Sequence, residues 1–199
     1  MNPDGPLIVQ SDRTVLLEVA HPQAGAARHA LAVFAELERA PEHIHTYRIT
    51  RLGLWNARAA GHTTEEILGT LEQHSKFAIP PGIAEEVRDT IRRYGQIDIT
   101  REGEELFLSC ADALIEAEIT RTAKIAELLG PRDEQGRFPL AAWSRGVIKQ
   151  ELLKKGWPAA DHAGYAEGTP HDISLAQENW GLRAYQRDAI TRFRDNGSG

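Results

Sequence analysis

The sequence predicts an α+β fold. Two segments read as β-hairpins, PLIVQSDRTVLLEV at residues 6–19 and QIDITREGEELFLS at residues 96–109, because apolar and β-branched runs flank turn-forming residues in each. Between and after them, apolar residues recur at helical spacing, bounded by capping residues, prolines and glycines. With 199 residues, 41% of them hydrophobic, the chain is long enough for one or two domains that bury a core without covalent staples.

In chain order, the first hairpin turns at Ser11 and Asp12. AGAARHALAVFAELERA then places Ala27, Leu31, Phe34 and Leu37 at helical spacing, with Pro41 as the stop. HIHTYRIT reads as a strand whose polarity is only weakly sided. Thr50 caps a helix carrying Leu52, Leu54, Trp55 and Ala59 as far as Gly61, and Thr63 or Thr64 caps a second with Ile67, Leu68 and Leu71. Pro80 or Pro81 opens a third, with Ile83, Val87 and Ile91, that ends at Gly95. Three short helices closed by the second hairpin follow the element order of a winged-helix module. Beyond Cys110, ADALIEAEITRTAKIAELLG reads as helix up to Gly130, and PRDEQGR as a polar loop. FPLAAWSRGVIKQELLKKGW offers one apolar stripe, Leu140, Trp143, Val147, Ile148 and Leu152, that ends at Gly156. With the hairpin before it, this makes a second small α/β unit. Gly, Pro, Ala and Asp then dominate up to Trp180, which reads as a linker, and GLRAYQRDAITRF follows as an amphipathic helix.

Composition narrows the function. The single cysteine, Cys110, excludes an internal disulfide and a Cys-rich zinc site, and within LFLSC it reads as a small buried hydrophobe suited to a reducing, cytoplasmic setting. No segment approaches the roughly 20 apolar residues of a membrane span. His43 and His45 with Glu42 lack the further ligands that a metal site needs, so no metal is expected there. A net charge of −6 argues against a general nucleic-acid coat, yet the charge is unevenly spread. From His43 to Thr64 there is no acidic residue, and Arg48, Arg51 and Arg58 alternate with Tyr47, Trp55 and Asn56. A second basic run, Arg145, Lys149, Lys154 and Lys155, meets only Glu151, and a third places Arg183, Arg187, Arg192 and Arg194 against Asp188 and Asp195. The chain contains no Gly-Lys pair and hence no GxxxxGK[ST] phosphate cradle, while DEQG at Asp133 to Gly136 reads as a turn and not a magnesium-holding box. These residues alone are therefore not expected to hydrolyse ATP.

In the last helix, Leu182, Tyr185, Ala189 and Phe193 form an apolar stripe. Gln186 offers a donor and an acceptor together, the pair that matches the N6 and N7 edge of adenine, and Trp180 has a face on which a flat base can stack.

GLRAYQRDAITRF resembles the adenine-recognition segment that opens the first motor domain of superfamily 2 helicases, just before their Walker A strand. PLIVQSDRTVLLEV, FAELERAPEHIHTYRIT, LWNARAAG and KQELLKKGWPAADHAGY resemble the N-terminal part of the prokaryotic XPB-type DNA repair helicases, with Ala184 standing where that family more often carries proline. The resemblance runs from about Pro6 to Phe193. It implies an accessory domain at 3–101, a damage-recognition-like domain at 102–164, a linker at 165–179, and at 180–199 the start of a RecA-like motor whose Walker A loop would follow. It also implies an ATP-dependent 3′–5′ DNA helicase as the complete enzyme, using ATP and magnesium, with Gln186 and Arg183, and Trp180 beside them, serving adenine recognition only there. DNA is the expected partner of Arg48, Arg51, Arg58, Arg145, Lys149, Lys154 and Lys155, through weak, salt-dependent contacts. A repair protein such as a nuclease is a further possible partner, and the alternative is a module that docks the helicase onto such a partner without touching DNA.

Overall fold

The structure, a computed structural model, describes residues 2–164 and 181–196. The chain divides into two compact units, Met1–Gly164 and Tyr165–Gly199. The fold is α+β, with two four-stranded sheets and eight α-helices among the described residues.

The first unit opens with the expected hairpin. β1 (Leu7–Val9) and β2 (Thr14–Glu18) pair antiparallel, with Leu7 opposite Leu17 and Val9 opposite Val15, and all four side chains are buried. The Asp12 carboxylate accepts from the Thr14 amide at 3.0 Å, which fixes the turn. α1 (Ala24–Leu31) follows, but the helix expected to reach Leu37 stops at Leu31. Residues Ala35–Arg39 instead form β3, paired with β4 (Ile44–Ile49), so that Ala35 faces Ile49 and Glu36 faces Arg48. The sheet order is β1-β2-β4-β3. AELER suits a helix locally. An edge ladder to β4 and the burial of Phe34 override that preference, leaving Leu37 52% exposed.

Three helices cover this sheet and begin where their caps dictate. Thr50 caps α2 (Arg51–Ala59) by accepting from the Gly53 amide at 3.0 Å, Thr63 and Glu66 form a reciprocal capping box on α3 (Thr64–His74), and Pro81 opens α4 (Pro81–Arg92). Leu54, Ile67, Leu71, Ile83, Val87 and Ile91 from the helices join Leu7, Val15, Leu17 and Ile49 from the sheet in one core.

The winged-helix expectation does not hold. The hairpin of β5 (Ile97–Glu102) and β6 (Glu105–Cys110) gives its Ile97, Ile99, Leu106 and Leu108 to a second core, not to α2–α4. The helices already have an apolar partner in the inward face of the first sheet. The second sheet has the order β7-β6-β5-β8, adding β7 (Phe138–Leu140) antiparallel to β6 and β8 (Ala159–Asp161) parallel to β5.

Two helices expected as continuous are broken. α5 (Ala113–Thr120) ends and α6 (Ala123–Ala126) restarts after Thr122, which is extended; the Thr120 hydroxyl bonds back to the Glu116 carbonyl at 2.8 Å at the same place. The segment before α7 (Arg145–Lys154) is not helix from Phe138 onward, because residues 138–140 pair with β6 and a 3₁₀ turn fills Ala142–Ser144. This rotates the apolar stripe. Ser144, Ile148 and Leu152 face inward, while Trp143 is 76% exposed. The DEQG turn forms as expected, with the Asp133 carboxylate accepting from the Gln135 and Arg137 amides.

Within the second unit, the described part is α8 (Ala184–Asn196), whose Tyr185, Ile190 and Phe193 are exposed. The linker expected at 165–179 and the base-stacking role expected of Trp180 lie outside the described residues. No helix among the described residues is long and apolar enough to cross a membrane.

Candidate nucleic-acid interface

The acid-free strip splits into residues already engaged and residues that are not. Arg48 sits on β4 with all three guanidinium nitrogens committed: Nε and Nη2 donate to the Glu38 carboxylate at 2.6 and 3.2 Å, and Nη1 donates to the Asp12 carbonyl at 3.0 Å. The hydrogen bond to Glu38 raises the guanidinium further above its usual range. Tyr47 and Trp55 are 3% and 5% exposed, and the Trp55 indole donates to the Thr90 carbonyl at 2.8 Å, so neither offers a face to a base. Trp55 is a strut between α2 and α4. Arg51 and Arg58 are exposed, and among the described residues neither side chain makes a hydrogen bond or an ion pair. Seven positions apart, they lie on one face of α2, separated by about 10 Å along the axis. Arg51 occupies the first turn, the positive end of the helix dipole, where a cation opposes helix stability and adds to the local positive potential.

The second strip is differently spent. Arg145 donates from Nε and Nη2 to the two Asp161 carboxylate oxygens at 2.9 and 2.7 Å, and from Nη1 to the Gly164 carbonyl. The Lys149 ammonium reaches the same carboxylate at 2.8 Å. Burial works to raise the Asp161 carboxyl, but the hydrogen bonds from Arg145, Lys149 and the Ala163 amide outweigh it and hold the group at about 2. These cations therefore tie α7 to β8. Lys154 pairs with Glu151 three residues before it, and Lys155 alone of the four has no partner among the described residues.

Arg51 lies at a cleft that also holds a residue the sequence reading missed. Arg93, the C-cap of α4, donates to the Gly156 carbonyl at 3.3 Å and lies 4.8 Å above the Trp157 ring. A Cβ placed on Gly156 would stand 3.4 Å from Arg93 Nη1 and 3.9 Å from Arg51 Nη1, so both guanidinium groups lie beside the residue that follows Lys155. The cleft here holds about 320 Å³ and is bordered by Arg51, Trp55, Thr90, Arg93 and the α4 carboxylates Glu85, Glu86 and Asp89. Those carboxylates are answered by Arg88, Arg13 and Arg92 in turn. Arg51 and Arg93 are left as the surplus charge of the cleft, with Lys155 next to Gly156 in the chain. The sequence signal for Arg93 was the doublet Arg92-Arg93 before the helix stop at Gly95, but nothing local revealed that Trp157 would lie beneath it.

On α8, the Gln186 side-chain oxygen accepts from the Arg183 amide at 2.9 Å, closing the first helical turn, and Arg187 donates to the Leu182 carbonyl. The amide nitrogen of Gln186 and one oxygen lone pair remain available, which retains the donor and acceptor pair that an adenine edge needs. The Arg183 side chain is exposed. Cys110, expected as a buried hydrophobe, is half-buried against the second core, and burial pushes its thiol up to about 12, away from nucleophilic reactivity.

Residues 7–134 match the family described as helicase conserved C-terminal domain. Over 197 residues, 98% of this chain, the sequence is 51% identical to the DNA 3′-5′ helicase XPB of Kineococcus radiotolerans and 52% identical to that of Mycobacterium tuberculosis, covering 35% and 36% of those proteins. It is 32% identical over 202 residues to the general transcription and DNA repair factor IIH helicase/translocase subunit XPB of Antonospora locustae, covering 96% of this chain and 29% of that one. The chain thus spans about a third of the length of the relatives it matches.

Proposed function

The chain belongs to the helicase conserved C-terminal domain family and is homologous along its length to bacterial DNA 3′-5′ helicase XPB, and from that premise we propose that it is the DNA-contacting accessory and damage-recognition-like region of an ATP-dependent 3′-5′ helicase acting in DNA repair. The observation that carries this reading is identity above 50% across 98% of the chain with helicases of that name. The division into an accessory part and a damage-recognition-like part takes support from the two cores, the first ending at Ile91 and the second beginning at Ile97.

DNA contact in this reading falls to Arg51 and Arg58 on α2, to Arg93 at the cleft and to Lys155, with Arg48, Arg145, Lys149 and Lys154 supporting the fold instead. With both candidate aromatics of the strip buried, the contact is one of cations with phosphates and carries little base preference. Each phosphate neutralised steepens the dependence of log affinity on log salt by about 0.7 to 0.9. Four contacts give weak binding that fades near physiological salt, which the net charge of −6 reinforces. In the complete enzyme, Gln186 and Arg183 would hold the adenine of ATP, whose hydrolysis supplies the free energy for unwinding. A single bidentate base contact contributes about 1–3 kcal/mol, too little for these residues to retain ATP alone.

The test is fluorescence anisotropy with forked and single-stranded DNA across a salt series. The double variant Arg51→Glu with Arg58→Glu is expected to weaken binding tenfold or more and to flatten the log–log slope by about two. Unchanged affinity and slope would remove the α2 face from the interface.

A further inference from the structure

We propose that the surface groove lined by residues 104–106, 127–130 and 139–143 is a docking site for a partner protein segment that presents an apolar side chain flanked by lysines or arginines. It shares no lining residue with the cleft that holds Arg51 and Arg93. The groove holds about 490 Å³, with Leu128, Leu129, Pro139, Ala141 and Trp143 among its apolar lining. That volume admits one or two side chains, the scale of a short linear segment.

The indole is presented, not merely uncovered. Trp143 is 76% exposed, yet the residues that hold its backbone are Leu140, Ser144 and Ile148 at 5%, 0% and 0%. The Ser144 hydroxyl donates to the Ala141 carbonyl at 2.8 Å and locks the 3₁₀ turn that carries the indole. The rest of the lining is equally fixed. Leu129 bridges to Leu140, and the Gly130 amide donates to the Pro139 carbonyl at 2.8 Å. A Cβ at Gly130 would come within 3.2 Å of Pro139, so the two segments lie in close contact there. A large aromatic on a rigid frame loses little conformational entropy on binding and is the kind of side chain that dominates interface energetics.

Charge selects the occupant. Glu104, Glu105 and Glu127 border the groove, and among the described residues none of the three carboxylates has an ion-pair or hydrogen-bond partner. Nearby acids do: Glu102 pairs with Arg137, Glu116 with Arg132 and Glu151 with Lys154. The free carboxylates repel phosphate, so DNA is not the ligand despite the exposed indole. A cationic segment neutralises them while its apolar residue covers the indole and the leucines.

A random 12-residue peptide library displayed on phage and selected on the full 199-residue chain tests this, with winners resynthesised and titrated by anisotropy. Enriched peptides are expected to share an apolar residue flanked by lysine or arginine, to bind at least tenfold more weakly to Trp143→Ala, and to lose affinity to Glu105→Lys. Circular dichroism of both variants should match the parent, since both side chains are exposed. Failure to enrich beyond what Trp143→Ala itself selects would overturn the proposal. So would enriched peptides that are acidic or indifferent to Glu105→Lys. Sedimentation showing that Trp143→Ala dissociates a dimer would assign the groove to a second copy of the chain, and loss of oligo(dT) binding in that variant would assign it to DNA; either replaces the proposed occupant.

Discussion

The basic run of α2 and that of α7 look alike as sequence and are opposites in the fold. Both set basic residues on a short helix with few acids nearby, two arginines on α2 and an arginine and lysines on α7. On α7, Asp161 arrives from β8, sixteen residues after Arg145, and takes up both Arg145 and Lys149. On α2, no carboxylate among the described residues reaches Arg51 or Arg58. The acids closest to Arg51 across the cleft are held by Arg13, Arg88 and Arg92. A cation becomes available to a phosphate only when no carboxylate elsewhere in the chain has claimed it. Pairing across tens of residues, not local composition, decides that.

The comparison breaks or sharpens at three places beyond the DNA titration. The largest effect is at Trp55. If it is the strut between α2 and α4, Trp55→Ala should cost about 3–5 kcal/mol in urea unfolding. A variant that lost DNA affinity at unchanged stability would return Trp55 to the interface. Next is the Asp161 cluster. Its folded carboxyl titrates at about 2 against an ordinary 3.8, so the folded state binds this proton less readily than the unfolded chain. The resulting stabilisation, about 2 kcal/mol, is fully present above roughly pH 4 and is lost as pH falls towards 2. Unfolding of the parent and of Asp161→Asn should therefore differ most at neutral pH and converge in acid; a gap independent of pH would mean that Arg145 and Lys149 are not held by this carboxylate. The smallest effect is at Arg48. Its partly exposed pair with Glu38 makes Arg48→Ala worth about 0.5 kcal/mol of stability. DNA affinity and salt slope should stay at parental values, and a slope reduced by about one would place Arg48 with Arg51 and Arg58 after all.

What was readable locally was what local chemistry sets. Thr50, Thr63 and Pro81 open their helices as their side chains and ring dictate. The hairpin turn at Asp12 and the DEQG turn at Asp133 are each closed by a carboxylate reaching amides two to four residues on. Elements failed where neighbours in space outvoted neighbours in sequence. AELER became a strand because β4 offered a ladder, Phe138-Pro139-Leu140 became a strand because β6 did, and β8 went unread because three residues, Ala159–Asp161, carry no periodicity of their own. The same cause moved Trp143 from a supposed core stripe to the surface, where it faces a groove that no helical wheel would have drawn.

By itself, the sequence determined the α+β class, the positions of caps and turns, and the kinship to XPB helicases, since all of these depend on residue identity within a few positions or along one line. Only the tertiary structure decided that the second hairpin belongs to a separate core, that Trp55 and Tyr47 are buried, and that Arg93 stands on Trp157 beside Arg51. It also decided which cations remain unclaimed. Burial and ion pairing are properties of distance in space, and the partners involved, Asp161 for Arg145 and Trp157 for Arg93, lie 16 and 64 residues apart in a sequence that records only order.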